Sequence, residues 1–79
     1  MQTLIADTLK AWREAERVLQ GLPPTDPAHD QVRRLVIDLR AMYAQLSESV
    51  DISEATAQRG RALIASATEL FKNVRGEPA

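Results

Sequence analysis

The sequence predicts an all-α fold, a three-helix antiparallel bundle in which a long α-hairpin is joined by a shorter N-terminal helix, and it predicts that the bundle dimerises. Three observations carry this expectation. Apolar residues recur at spacings of three and four through three separate segments, the mark of amphipathic helices. Strong helix stops and starts (Gly21, Pro23, Pro24, Asp26, Pro27) divide the first segment from the second. The middle segment carries more apolar surface than one neighbour can cover.

The first helix is expected over 4–20, with Thr3 as its N-cap and a stripe of Leu4, Ile5, Leu9, Trp12, Ala15, Val18 and Leu19. Gly21 is placed as a left-handed residue just past its end, with Leu22 folding back on it, and Pro23 and Pro24 forbid continuation. Asp7, Lys10, Arg13, Glu14, Glu16 and Arg17 form its solvated side.

The central helix is expected over 27–49. Asp26 caps it, and Pro27 occupies the first helical position, where its missing N–H costs nothing. Val32, Leu35, Val36, Leu39, Met42, Tyr43 and Leu46 make its main stripe. At 100° per residue Ile37 points away from that stripe and joins Ala41 and Ala44 in a second, weaker one. A residue such as Ile37 needs cover from another helix or a second copy of the chain.

The third helix is expected over 52–75, behind a short turn in which Asp51 and Glu54 form a capping box and which folds the helix back antiparallel. Its core line is Thr56, Gly60, Leu63, Ala67, Leu70 and Val74, with Ile64 and Phe71 beside it; Gly76 stops the helix and residues 77–79 form a disordered tail. A glycine inside a helix costs about 0.5–1 kcal/mol relative to alanine, so Gly60 is expected to permit close packing. The whole chain, 1–79, reads as one complete domain, and chains this short bury a small share of their surface, which makes self-association a natural source of further burial.

Ten basic and eleven acidic residues are interspersed and leave a net charge of −1, so nucleic acid is not an expected partner. The chain has no cysteine, which excludes disulfides and thiolate metal sites. No apolar run is long enough for a membrane span, and the N-terminus has no basic region of the kind that opens a signal peptide, so a cytoplasmic location is expected. Arginine dominates lysine and alanine is abundant, pointing to a bacterial source.

Residues able to carry chemistry are few. His29 stands alone beside the capping Asp26, Asp30 and Arg33, without further ligands at helical spacing. Glu16, Asp38 and Glu69 each have an arginine or lysine within one turn, the arrangement of a solvated pair. The phosphate-binding, serine-hydrolase and zinc-protease motifs are absent. No catalytic residue, metal or cofactor is expected, and the function expected is non-enzymatic: a helical interaction or structural module that holds its own copy first, or another helical protein.

Six residues are candidates for that contact: Trp12, which reads first as a core anchor against the hairpin and alternatively as a bulky interface anchor, Ile37, Ala41 and Ala44 on the central helix, and Ala57 and Gly60 on the small-residue face of the third. One alternative competes. Asp51-Ile52-Ser53-Glu54-Ala55-Thr56-Ala57-Gln58-Arg59 resembles the turn and recognition-helix start of a helix-turn-helix DNA-binding motif. That resemblance implies a regulator contacting DNA through segment 51–61, with Arg59 and Arg61 as its basic contacts. It departs from the motif where Asp51 replaces the turn glycine and where Glu54 would face phosphates.

Overall fold

The computed structural model describes residues 2–75 and contains three α-helices: α1 (Gln2–Gly21), α2 (Pro27–Glu48) and α3 (Glu54–Arg75). All three pack against one another. Two connectors of similar length, residues 22–26 and 49–53, join them.

Which residues meet shows how the helices run. At one end Leu4 of α1 packs with Met42 and Leu46 of α2 and Ala57 of α3. Further along, Ala11 and Ala15 pack with Leu35 and Leu39 and with Ala67 and Phe71. Residue numbers rise together on α1 and α3 and fall on α2, so the bundle runs up, down, up. Leu63 and Ile64 touch both clusters and make the core continuous. The contribution of the helices is unequal. α2 buries five sizeable side chains (Val32, Leu35, Leu39, Met42 and Leu46), whereas α1 and α3 approach each other through Ala11, Ala15, Ala57 and Ala67, with Leu4 and Phe71 as their large buried residues. The buried hydroxyl of Thr8 donates to the Leu4 carbonyl at 2.7 Å, which removes the cost of an unpaired polar group in this core.

The start of α2 follows from its sequence: Asp26 is extended (φ −72°, ψ 132°) and accepts from the Ala28 N–H at 2.8 Å, with Pro27 next to it. Other boundaries differ from the expectation. Thr3 lies inside the first turn of α1 instead of capping it. Gly21 closes α1 as a helical residue, and the Leu22 N–H turns back to the Leu19 carbonyl at 3.1 Å, so a tightened last turn replaces the left-handed glycine stop. α1 spans 20 residues against 22 for each of the others, which makes it no short appendage; it shares its most extensive contact with α2, and α2 with α3 the least.

The third helix begins two residues later than expected because Ser53, not Asp51, is its cap. The Thr56 N–H donates to Ser53 Oγ at 3.1 Å, and the Ala57 N–H reaches the Ser53 carbonyl at 3.0 Å. A cap at Ser53 also puts Ile52 just outside the helix and Ala57 four residues inside it. Ile52 packs on the cluster that holds Ala57, a hydrophobic staple that a cap at Asp51 could not form. The expected Gly76 stop and the tail at 77–79 lie outside the described residues.

Gly60 is buried, but the interior does not require a glycine there. A Cβ at this position would lie 3.5 Å and 3.6 Å from the Leu4 methyls and 3.6 Å from Met42 Sδ, ordinary contact distances. Gly60→Ala should therefore gain helix propensity without a clash, about 0.5–1 kcal/mol. A thermal melt followed by circular dichroism should show a rise of about 2–8 °C; a fall would mean that α1 sits too close for a methyl.

Candidate functional site

The face of α2 turned away from the core is the surface on which the structure leaves apolar groups uncovered. With Val32, Leu35, Leu39, Met42 and Leu46 directed inward, the 100° step per residue carries Ile37, Ala41 and Ala44 to the opposite side. All three are exposed, and Ile37 keeps 55% of its surface open. It is the one large apolar side chain exposed within the described helices; Val50, fully exposed, sits in the connector before α3.

Charges border this strip. Asp30 lies 3.9 Å from Arg33 and 4.0 Å from His29 Nδ1, loose surface contacts worth little to stability. Arg34 and Glu48, both exposed, have no ionic partner within 4 Å among the described residues. They stand at the two ends of the strip, each seven positions from Ala41.

The other residues expected at a contact surface lie elsewhere. Trp12 is half-buried, packed on the Ala11–Leu39 cluster, and its ring meets Tyr43 of α2 at a centroid distance of 5.8 Å and a tilt of 41°. It is first a brace between α1 and α2, and its Nε1–H is buried without an acceptor among the described residues. Ala57 is fully buried and Gly60 is covered by Leu4 and Met42 of the same chain. The small-residue face of α3 is thus used up inside the bundle, where it receives α1, and a second copy could reach it only by displacing that helix. The expected contact set contracts to Ile37, Ala41 and Ala44.

The segment that resembles a helix-turn-helix, residues 51–61, spans the connector before α3 and the first half of that helix. Such a motif sets its two helices at about 90–120°, whereas α2 and α3 pack antiparallel along their length, from Leu46 beside Ala57 to Leu35 beside Phe71. Arg59 and Arg61, two positions apart, project from nearly opposite sides of α3. Arg59 reaches Thr56 Oγ1 at 3.4 Å and Arg61 lies 3.7 Å from Glu54, so Arg61 already faces a carboxylate.

A shallow groove between α1 and α3, floored by Leu4, Ala11, Ile64 and Phe71 and edged by Asp7 and Thr68, was not foreseen from the sequence. Its walls come from two helices distant in the chain, and only the parallel placement of α1 and α3 creates it. Among the described residues no cluster of histidine, aspartate or glutamate is arranged to hold a metal ion, and no acidic or basic side chain is buried. No helix is long and apolar enough to cross a membrane. The chain matches no protein-family model, and neither a curated protein nor a solved structure is significantly similar to it.

Proposed function

We propose that the chain is a small, non-enzymatic interaction module whose first partner is a second copy of itself, engaged through the outward face of α2. The observation that carries this reading is that the three-helix core closes without Ile37, leaving it 55% exposed beside the exposed Ala41 and Ala44 on the outward helix face. An isologous contact would cover that side chain twice with one interaction surface. The arginine-rich and alanine-rich composition supports the accompanying view that its source is bacterial.

With one large apolar side chain per copy, the contact belongs to the small and weak class of interfaces. Light scattering should therefore give a mass near the 8.8 kDa of one chain in dilute solution and a mass rising toward twice that value when the protein is concentrated about a hundredfold. Ile37→Glu should remain at the single-chain mass throughout, with a melting point in dilute solution close to that of the parent, because the residue takes no part in the core. A parent mass that stays at one chain at every concentration would refute the proposal.

A further inference from the structure

We infer that the two copies pair through α2 in an antiparallel register centred on Ala41, with Arg34 of each chain facing Glu48 of the other. This rests on the self-association reading above and specifies its geometry. The outward residues Arg34, Ile37, Ala41, Ala44 and Glu48 follow one another at spacings of three, four, three and four, the repeat that keeps side chains on one seam between two packed helices. The strip is also symmetric about its middle. Arg34 and Glu48 each lie seven positions from Ala41, so a two-fold axis through Ala41 sets the cation of one chain opposite the anion of the other, at both ends of the contact.

The same operation sets each Ile37 level with Gln45 of the other copy and next to its Ala44, whose small side chain lets the helices approach closely. The facing charges single out this register. A parallel pair would set Arg34 against Arg34 and Glu48 against Glu48, and like charges at close range oppose association. Slipping the antiparallel pair by one helical turn would carry Arg34 about 5 Å along the axis from Glu48 and break the facing charges at both ends. Arg34 and Glu48 are available for this purpose, since neither has an ionic partner within 4 Å among the described residues and the neighbouring Arg33 already lies near Asp30.

Charge reversal tests the register. In the antiparallel pair Arg34→Glu opposes two carboxylates at each end and Glu48→Arg opposes two cations, so each single variant should weaken association about tenfold, read as the concentration at half-dimer by sedimentation equilibrium. The double variant carrying both changes restores an anion opposite a cation and should return to the parent value, and raised salt should narrow all these differences. Melting curves in dilute solution check that each variant is folded, which the exposure of both side chains favours. Unchanged association in both single variants would overturn the register while leaving self-association through Ile37 intact, and so would failure of the double variant to recover. A parent protein that is monomeric at all concentrations would overturn both readings together.

Discussion

Leu39→Ala is expected to cost about 2–5 kcal/mol. Leu39 is fully buried in the middle of α2, where Ala11 and Ala15 of α1 and Ala67 and Phe71 of α3 close around it. Alanines form much of that wall, and a methyl side chain on a helix cannot extend to fill the space a missing isobutyl group leaves. The cavity term should therefore be close to its full size. A 79-residue chain has on the order of 4–12 kcal/mol of stability in all, so the loss amounts to a large share of the total. Urea denaturation followed by circular dichroism should show a midpoint that drops steeply at constant slope. A midpoint shift worth less than about 1 kcal/mol would show that α1 and α3 can collapse onto the vacancy.

Ala67→Leu is the opposite experiment and should cost about 1–3 kcal/mol. Ala67 is fully buried where α3 faces Ala11 and Ala15 of α1, and these alanines set how near the two parallel helices lie. Three added heavy atoms must either push α1 away from α2, breaking the packing of Trp12 on Tyr43, or adopt a strained rotamer. Ala62→Leu, on the exposed side of the same helix, should change stability by no more than about 0.5 kcal/mol. The comparison separates crowding from helix propensity, because both variants make the same substitution in the same helix. Equal melting points for the two would mean that the α1–α3 contact is loose.

The three helices were legible because their signals are local. The repeat of Val32, Leu35, Leu39, Met42 and Leu46 specifies both an element and its buried side, and the Asp26-Pro27 start is complete within a few residues. Ends decided by competition between neighbours were less legible. Asp51 and Ser53 can both cap α3, and the choice falls to Ser53 because Ile52 then packs on a cluster built from all three helices, a contact that no local pattern contains. Gly21 has the composition of a left-handed stop, yet Pro23 and Pro24 already end α1 and leave it no such task.

The candidate site divides in the same way. Ile37, Ala41 and Ala44 could be placed opposite the core by the geometry of one helix, and exposed they are. For Ala57 and Gly60 the sequence showed a face inviting close approach but not which helix would accept, and α1 of the same chain does. Trp12 in mid-stripe pointed first to a brace, and its neighbour Tyr43 supplies the partner that the stripe alone does not name.

An odd number of helices has a consequence for how the chain can be joined to anything else. Because α1 and α3 run the same way, Gln2 and Arg75 lie at opposite ends of a body whose longest dimension is 40 Å. Domains fused before and after the bundle would be held apart by its length, as by a stiff rod, and copies joined head to tail would advance in one direction instead of doubling back. Closing the chain on itself, or cutting it in a connector and rejoining the old ends, would need a linker of about ten or more extended residues to travel back along the bundle.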